Sequence, residues 1–443
     1  MSGSTPTQRE LTEPLPENAT VCVVGLGYVG IPLSLGFDEE GLDVIGFDID
    51  RGKIEDLDAG IDITGDHGDE AIAESEIDFT ANEAHIAQAD YVIITVPTPV
   101  DDTKNPNLDF VKAAGRTVGE YLSEGATVVL ESTVYPGVTR EVLGPVIEEA
   151  SGLEMETEFN LGYSPERLSP GDEGRGLRDV QKIVSGDTDG TLEELAALYG
   201  TVVDAGVYRA PNIETAEAAK VTENVQRDVN IALVNELAIV CDHLGLESKE
   251  VLDAASTKWN FHDYRPGLVG GHCIPVDPLY LAHGSERAGY SPDLILTGRE
   301  VNEYMPKHAA ELALRALNEN GKVLKDCRLL VLGLAYKPDV GDIRTSEVGG
   351  VITELDTYGI EVTGHDPHAD PGAVREQFDV PTVDEPDFEG YDGVVLATPH
   401  EEYADLDVEA MAEALNDGGI LLDVMGVIDE ERATAAGLTY RTL

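Results

Sequence analysis

Basic residues are scarce in this chain of 443 residues. It has 29 Lys and Arg against 86 Asp and Glu, for a formal net charge of -57, and the acidic excess runs along the whole sequence. Such a surface repels nucleic acid and anionic lipid, so we expect neither as a partner. Life in high salt is the explanation we favour, because dense carboxylates keep a protein hydrated there and salt screens their repulsion. The alternative is that the acidity serves a partner.

Cysteine is equally sparse. The four cysteines, Cys22, Cys241, Cys273 and Cys327, lie far apart and form no CxxC or CxxH spacing. This excludes a disulfide framework and a cysteine-based zinc site, and we predict a reducing compartment and no metal. Cys22, Cys241 and Cys327 lie in apolar segments and are predicted to be core residues. Only Cys273 lies outside such a segment.

Long apolar runs are absent, since none reaches the roughly 18 residues of a membrane span. The first 17 residues are polar and lack a charged-then-apolar leader. We therefore predict a cytoplasmic protein with no membrane partner, whose residues 1–18 form a flexible tail. The chain is too long for one compact core, so about two or three domains are expected.

A glycine pattern follows the apolar run from Thr20 to Val24. Its residues are Gly25-Leu26-Gly27-Tyr28-Val29-Gly30. This strand-turn-helix signature seats a dinucleotide pyrophosphate on a helix N-terminus. Asp48 ends the next apolar run, about 20 residues further on, where a carboxylate binds the adenosine ribose and favours NAD over NADP. Lys53 either contacts the adenosine or is an ordinary surface lysine.

Strand patterns alternate with helical ones, which predicts parallel sheets. Long helices replace the strands between residues 211 and 320, and the alternation returns at Cys327. The predicted fold class is α/β, with two Rossmann-like doubly wound domains, 19–210 and 321–443, joined by a long-helix segment, 211–320. The second domain lacks a full GxGxxG, so we expect no second dinucleotide pyrophosphate there. Lys337 and Arg344 either meet the phosphates or carboxylate of another ligand or are surface charges.

A single thiol stands in a loop that suits a nucleophile. Gly270-Gly271-His272-Cys273 is flanked by prolines, and Asp277 follows four residues after the cysteine. Paired glycines let a ligand approach the backbone and prolines stiffen the loop, so the thiol is presented for chemistry. A dinucleotide site and an activated cysteine together suggest a dehydrogenase with a covalent intermediate.

The helix predicted from Glu214 to Leu244 carries a second candidate group. Lys220 and Asn224 are spaced i, i+4, so they share one helix face, and Val221, Val225, Val229 and Leu233 form an apolar stripe on another. Two donors on one face suit an oxyanion. The alternative is an ordinary solvated polar face.

Seven motifs, in order, resemble those of the nucleotide-sugar 6-dehydrogenases, a family that includes UDP-glucose and UDP-N-acetylhexosamine enzymes. They are Gly25 to Gly30, Val96 to Pro99, Glu131 to Thr133, Ser164 to Arg167, Lys220 with Asn224, Gly270 to Asp277, and Gly333 to Lys337. The resemblance covers nearly the whole chain after residue 18. It implies an NAD domain, a helical dimerisation segment and a C-terminal UDP-sugar domain, in a homodimer that serves polysaccharide biosynthesis or protein glycosylation.

The resemblance also implies a chemistry. The C6 alcohol of a UDP-sugar is oxidised to an aldehyde with NAD as acceptor, Cys273 traps it as a thiohemiacetal, a second oxidation gives a thioester, and water releases the uronate. Lys220 and Asn224 would stabilise the C6 oxyanion, and Asp277 would orient Lys220 or the water. Glu166 would be the general base, and Thr133 would hold the water.

The binding residues implied by the resemblance fall into two groups. Those assigned to NAD are Gly25, Gly27, Tyr28, Val29, Gly30, Asp48, Lys53, Thr98, Thr133 and Arg344. Those assigned to the UDP-sugar are Glu166, Arg167, Lys220, Asn224, Tyr264, Gly267, Gly270 and Lys337.

The identity of the sugar rests on fewer residues. Val96-Pro97-Thr98-Pro99, Pro165-Glu166-Arg167 and the loop before Cys273 resemble the UDP-N-acetylglucosamine or galactosamine branch, with UDP-N-acetylmannosamine as a further possibility. The alternative is UDP-glucose, whose enzymes typically have Gly-Thr-Pro and an aromatic residue after the glutamate.

Two other classes of protein stay as alternatives. A single-step dehydrogenase of the hydroxyacid or phosphogluconate kind would share the domain plan but would not need Cys273. A non-catalytic NAD-binding scaffold would have no use for Lys220, Asn224, Glu166 and Cys273 together.

Overall fold

The computed structural model describes residues 19–101, 103–167 and 176–443. The predicted tail, residues 1–18, therefore lies outside the described residues. The chain divides into two compact units. Unit 1 contains the residues up to Glu223 together with Leu279–Tyr290, and unit 2 contains Asn224–Pro278 and Ser291–Leu443. The domain boundaries drawn from the sequence at 210 and 320 stay predictions.

Unit 1 is built on one eight-stranded sheet. The strands are β1 (Thr20–Val24), β2 (Asp43–Phe47), β3 (Asp78–Thr80), β4 (Tyr91–Ile94), β5 (Thr127–Leu130), β6 (Asn160–Tyr163), β7 (Lys182–Gly186) and β8 (Val207–Arg209). Their spatial order is β3-β2-β1-β4-β5-β6-β7-β8, and its first six strands have the order of a dinucleotide-binding sheet. The central strands are rich in Val and Ile because helices cover both faces of such a sheet.

The direction of the strands changes once in this sheet. Strands β1 to β6 are parallel, β7 pairs with β6 in the antiparallel sense, and β8 is parallel to β7. The first residue of β7, Lys182, consequently lies at the edge of the sheet where β5 and β6 end.

Helices cover the sheet of unit 1. They are α1 (Gly30–Glu39), α2 (Arg51–Asp58), α3 (Asp69–Glu74), α4 (Asp109–Tyr121), α5 (Gly144–Ser151) and α6 (Asp189–Val202), with a short π-helix at Thr139–Leu143 before α5. Side chains of Asp50 and Thr188 accept backbone N–H bonds at the starts of α2 and α6, which is why these helices begin there. Two further helices, α7 (Ile213–Leu244) and α9 (Asp277–Arg287), contribute residues to both units.

Unit 2 contains a second, smaller sheet. Its strands are β9 (Arg328–Leu332), β10 (Glu361–His365), β11 (Gly393–Leu396), β12 (Ile420–Asp423) and β13 (Thr439–Thr442), and its other helices are α8 (Ser248–Ser256), α10 (Asp293–Glu319), α11 (Val348–Thr357), α12 (Pro371–Phe378), α13 (Val408–Ala414) and α14 (Glu430–Ala435). All strand pairs are parallel and the order is β10-β9-β11-β12-β13. This is the second common doubly wound order, 2-1-3-4-5.

The main sequence predictions about the fold are confirmed. The chain is an α/β protein with two Rossmann-like sheets and a long-helix segment, and Cys22, Cys241 and Cys327 are buried while Cys273 is exposed. The predicted apolar stripe on α7 is only partly right, because Val221 and Val225 are buried but Leu233 is 55% exposed. No helix among the described residues has the length and apolarity needed to cross a membrane.

A buried carboxyl group holds the start of α7 against the rest of unit 1. Glu217 is fully buried and accepts hydrogen bonds from the backbone N–H of Gly137 at 2.5 Å, and from the N–H and hydroxyl of Thr139 at 2.9 and 2.7 Å. Burial raises the pKa of Glu217 to about 7, although these three donors favour the ionised form.

The raised pKa of Glu217 predicts a pH dependence of stability. The unfolded carboxyl loses its proton near pH 4.5 and the folded one near pH 7, so its contribution to the unfolding free energy is full below pH 4.5 and falls as pH rises to 7. Glu217→Gln should flatten the slope of unfolding free energy against pH in this window, as measured by urea unfolding followed by circular dichroism. Glu214→Gln, at a half-exposed carboxylate in the same turn, is the control. Equal slopes for the wild type and Glu217→Gln would contradict the assignment.

Candidate active site

The glycine turn after β1 has the geometry that its sequence predicts. Gly25 has φ +103°, and a side chain on Gly30 would collide with the Gly25 carbonyl oxygen. A Cβ on Gly27 would meet no atom within 4 Å, so the backbone there is open to a ligand. Helix α1 begins at Gly30, directly behind this opening. The turn therefore fits a pyrophosphate at a helix N-terminus.

Asp48 fastens this turn to the neighbouring strand. One carboxylate oxygen accepts a hydrogen bond from the N–H of Leu26 at 2.9 Å, and the other accepts one from Asp50 at 2.9 Å. Lys53 Nζ lies 3.4 Å from Asp48 and 3.3 Å from the Leu26 carbonyl oxygen. Lys53 thus contacts the glycine turn itself. The two sequence hypotheses, an adenosine contact or an ordinary surface lysine, did not include this contact. The predicted ribose contact of Asp48 would be made by a side chain already held in place.

Four other residues assigned to NAD belong to unit 1. Tyr28 and Val29 lie within the glycine turn, and Tyr28 is 48% exposed. Thr98 follows β4 and Thr133 follows β5, and both are partly buried. Parallel strands that end at the same edge bring these segments to the side of the sheet where ligands bind in doubly wound folds.

A buried ionic cluster lies at the same edge, and the sequence reasoning missed its centre. Lys182 Nζ lies 2.8 Å from Glu131 Oε2 and 3.4 Å from Glu166 Oε2, and the Tyr199 hydroxyl donates to Glu131 Oε1 at 2.6 Å. The side chains of Lys182 and Glu131 are 4% and 0% exposed, while that of Glu166 is 15% exposed. The cluster therefore connects the interior of unit 1 to the predicted general base.

Lys182 and Glu131 each shift the other's pKa toward the ionised form. Burial raises the pKa of Glu131 to about 6, with Lys182 opposing the rise. Burial alone would lower the pKa of Lys182, but the carboxylates of Glu131 and Glu166 raise it. Lys182 is therefore a cation in the folded chain. One signal in the sequence was a lysine at the head of the apolar run Lys182-Ile183-Val184, in a chain with few cations.

Arg167, assigned to the sugar, is held within unit 1. Its guanidinium pairs with Glu223 at 2.6 Å and donates to the carbonyl oxygen of Gln181. Its backbone N–H donates to Glu166 Oε1 at 2.5 Å, which also fixes that carboxylate. Contact of Arg167 with a sugar stays a prediction.

The thiol loop belongs to unit 2. A Cβ on Gly270 would lie 2.6 Å from the Thr345 carbonyl oxygen, and Gly271 has φ +94° and donates its N–H to that same oxygen. Cys273 is exposed, and its carbonyl oxygen accepts the N–H of Asp277 at 2.9 Å. The two glycines thus pack the loop against a neighbouring segment and leave the thiol side accessible.

Two of the predicted catalytic residues are joined directly. Asn224 Nδ2 donates to Asp277 Oδ2 at 2.6 Å, and both side chains are buried. Lys220, one turn earlier on α7, is also buried. The hypothesis that Lys220 and Asn224 form a solvated polar face is therefore wrong. The proposed action of Asp277 on Lys220 stays a prediction.

Buried amides position the segment before the thiol. Both the N–H and the carbonyl of Gly267 bond to the Asn235 side chain, at 2.9 and 3.1 Å, and Asn302 bonds to that amide at 2.8 Å. The Tyr264 hydroxyl accepts a hydrogen bond from Gln226 at 3.1 Å. Of these five residues, Tyr264 and Gly267 were assigned to the UDP-sugar, and these hydrogen bonds fix their positions.

Arg344 is held beside the thiol loop within unit 2. It binds both oxygens of Asp342, at 2.9 and 2.7 Å, and the His272 ring lies 2.9 Å from the same carboxylate. Against the effect of burial, Arg344 and His272 hold the pKa of Asp342 well below its usual range. Lys337 is partly buried on the adjoining loop. The ligands assigned to Arg344 and Lys337 stay predictions.

Unit 2 repeats part of the glycine turn of unit 1. Gly333 after β9 has φ +78°, and Asp366 after β10 accepts the N–H groups of Leu334 and Ala335, as Asp48 accepts that of Leu26. The same carboxylate also bonds to the His400 ring and to the N–H groups of His368 and Ala369. A carboxylate has about four acceptor sites, so little capacity is left for ribose hydroxyls. The expectation that unit 2 binds no second dinucleotide pyrophosphate stays a prediction.

One group among the described residues has the composition of a metal site. Ligand atoms of Asp339, His368 and His400 lie within 4.8 Å of one another. However, His400 Nδ1 accepts the Asp339 N–H at 2.8 Å, and its Nε2 lies 3.0 Å from Asp366. Because both ring nitrogens are engaged in the fold, we assign no metal to this group.

Comparison with known proteins agrees with this architecture. Three family models of the UDP-glucose/GDP-mannose dehydrogenase family match in order: the NAD binding domain at residues 19–203, the central domain at 214–304 and the UDP binding domain at 330–430.

Similar proteins match over nearly their full length. Protein CapL of Staphylococcus aureus is 41% identical, with 96% of this chain and 100% of CapL covered. UDP-N-acetyl-D-glucosamine 6-dehydrogenase of Pseudomonas aeruginosa is 40% identical, with 93% and 98% covered. The solved structure of UDP-D-ManNAc dehydrogenase from Pyrococcus horikoshii superimposes with a TM-score of 0.87 at 30% identity, with 96% and 98% covered. With its NAD-binding N-terminal domain, central helical segment and C-terminal UDP-binding domain, the chain belongs to the UDP-glucose/GDP-mannose dehydrogenase family, and its cofactor is NAD.

Proposed function

We propose that this chain oxidises the C6 hydroxyl of a UDP-sugar to the uronate in two NAD-dependent steps, with the intermediate bound to Cys273. The observation that carries the proposal is the thiol loop: Cys273 is exposed on a glycine-built loop, and Asp277, four residues further on, accepts a hydrogen bond from the buried Asn224. The UDP binding domain of the family supports the nucleotide part of the substrate.

The covalent step keeps the oxidised C6 carbon bound to the enzyme between the two oxidations. Bound NAD supplies the hydride acceptor for each oxidation. The sulfur of Cys273 adds to the C6 aldehyde and gives a thiohemiacetal, which loses a hydride to become a thioester. Water then adds to the thioester carbonyl, the carbon–sulfur bond breaks, and the uronate leaves as the thiol is restored. A tethered aldehyde stays in the site between the two oxidations, and a thioester hydrolyses readily.

The predicted catalytic side chains suit this sequence of steps. Asn224 is oriented by Asp277, so its remaining N–H is a fixed donor for the oxygen on C6. Lys220, buried one turn away, would add a positive charge for the same oxyanion. Thr133 would hold the attacking water, and Glu166 would take its proton. A single-step dehydrogenase would need none of the thiol loop.

We propose a UDP-N-acetylhexosamine as the substrate, with UDP-glucose as the alternative. The relatives named above that have an assigned sugar act on UDP-N-acetylglucosamine and UDP-D-ManNAc. The chain also has Arg167, fixed by Glu223, at the position after Glu166 where UDP-glucose enzymes typically have an aromatic residue. The uronate would serve polysaccharide biosynthesis or protein glycosylation.

We also propose a homodimer formed through α7. Leu233, Leu237, Val240 and Leu244 follow the i, i+4, i+7, i+11 spacing of one helix face and are 36 to 67% exposed. A continuous apolar face of this kind is unusual on the surface of a monomer, and especially so in a chain with a net charge of -57.

The thiol mechanism predicts the cofactor yield. The wild type, assayed in molar salt with a panel of UDP-sugars, should produce two NADH per sugar and should prefer an N-acetylhexosamine. Cys273→Ser should abolish uronate formation and leave NAD affinity, measured by fluorescence titration, unchanged. Unaltered uronate formation by this variant would refute the covalent route, and preference for UDP-glucose would refute the sugar assignment.

The ribose contact of Asp48 predicts a cofactor-specific defect. Asp48→Ala should raise the KM for NAD about 10- to 100-fold, because hydrogen bonds to a charged group contribute about 1.5–3 kcal/mol. The KM for the UDP-sugar should change little. Asp43→Ala, at the exposed first residue of the same strand, is the control. An unchanged KM for NAD would remove Asp48 from the cofactor site.

The exposed face of α7 predicts the state of assembly. Leu237→Glu combined with Leu244→Glu should convert a dimer to a monomer in light scattering coupled to size exclusion, because two carboxylates would be buried without partners. Ile61→Glu places the same charge on an exposed apolar residue of unit 1 and should leave the dimer intact. A wild type that is monomeric at micromolar concentration would contradict the proposed dimer.

A further inference from the structure

The antiparallel strand β7 brings a cation to the edge where the parallel strands of unit 1 end. The pairing of Tyr163 with Ser185, extended three residues beyond β6, sets Lys182 opposite Glu166. A parallel strand at this place in the sheet would begin at the other edge. The reversal of one strand is therefore the reason that a lysine reaches Glu166 from within the fold.

Lys182 joins two carboxylates of different exposure. It pairs with the fully buried Glu131, which the Tyr199 hydroxyl also contacts, and it lies 3.4 Å from the partly exposed Glu166. The backbone N–H of Arg167 also donates to Glu166 Oε1, and the Arg167 guanidinium pairs in turn with Glu223. Glu131 and Tyr199 keep the ammonium group in one position, because a buried charge needs several partners at once.

From this arrangement we propose that Lys182 is a positioning residue for the hydrolytic step, which holds the Glu166 carboxylate in one orientation. The inference rests on the proposed thioester mechanism. In that step the Glu166 carboxylate accepts a proton from water as the water oxygen bonds to the thioester carbon. The carbon–sulfur bond then breaks, and the proton passes on as the Cys273 thiol and the uronate separate. Lys182 itself touches neither water nor substrate in this role.

The test separates oxidation from hydrolysis. Lys182→Met alone would leave Glu131 buried without its cation, so the main variant combines Lys182→Met with Glu131→Gln, which keeps the interior neutral. Rapid mixing with NAD and UDP-N-acetylglucosamine should show an NADH burst of two per site at nearly the wild-type rate. Steady-state uronate release should then fall about 10- to 100-fold, part of the roughly 10²–10⁴-fold effect of a general base. Mass spectrometry should detect the UDP-uronyl adduct on the intact protein.

Two more readouts distinguish positioning from a structural role. The affinity of the double variant for NAD, measured by fluorescence titration, should stay at the wild-type value, whereas a general disruption of unit 1 would lower it. Lys182→Arg, which keeps the charge, should restore most of the release rate. Lys322→Met is the matched control, because Lys322 forms a partly buried pair with Asp392 in unit 2. It should show wild-type kinetics and no more adduct than the wild type.

The outcomes are distinct. A burst followed by slow release, with the adduct present, supports the role of Lys182. Equal slowing of burst and release, or release at the wild-type rate, overturns it while the thioester mechanism stands. A wild type that gives only one NADH per sugar overturns the thioester mechanism itself, and the role of Lys182 falls with it.

Discussion

The edge of the unit 1 sheet at which parallel strands end is the constraint on which the rest of this structure depends. Gly25 follows β1, Asp48 follows β2, Thr133 follows β5 and Glu166 follows β6, so four separate stretches of sequence supply one edge. Three of them bond to backbone groups of a neighbouring strand or turn: Gly25 to the Phe47 carbonyl oxygen, Asp48 to the Leu26 N–H, and Glu166 to the Glu131 carbonyl oxygen. Parallel strands bring only their carboxyl ends to this edge. The antiparallel strand β7 brings its first residue, Lys182, to the same edge.

The charge of the molecule is organised differently inside and outside. The surface carries most of a net charge of -57, and salt screens such exposed charges over about 10 Å at moderate ionic strength. Inside, two of the buried cations form ion pairs, Lys182 with Glu131 at 2.8 Å and Arg299 with Asp228 at 2.6 Å. Buried pairs are screened much less, so changes in salt should act on the surface and leave these pairs intact.

Sequence reasoning recovered what depends on local periodicity. The apolar run from Thr20 to Val24 is strand β1 with the same bounds, and the helix predicted from Glu214 to Leu244 is observed from Ile213 to Leu244. The glycine turn was recognised because its conformation needs glycine at fixed spacing, and Gly25 indeed has positive φ. These features are set by neighbours in the chain, which a single sequence displays.

What the sequence did not reveal depends on distant partners. Lys182 escaped notice because its role follows from the reversal of β7, and Glu217 because its donors lie about 80 residues away. Lys220 and Asn224 were compatible with a solvated face until the fold showed them buried. The assignments of Thr98, Arg167 and Lys337 to ligands came from family resemblance and still need direct tests.

The central claim is that Cys273 carries the substrate carbon between the two oxidations. Acid quenching of the enzyme during turnover, followed by proteolysis and mass spectrometry, tests it most directly. The account predicts a UDP-uronyl thioester on the peptide that contains Cys273, absent from reactions without NAD. Turnover that yields uronate while that peptide stays unmodified at every quench time would contradict it.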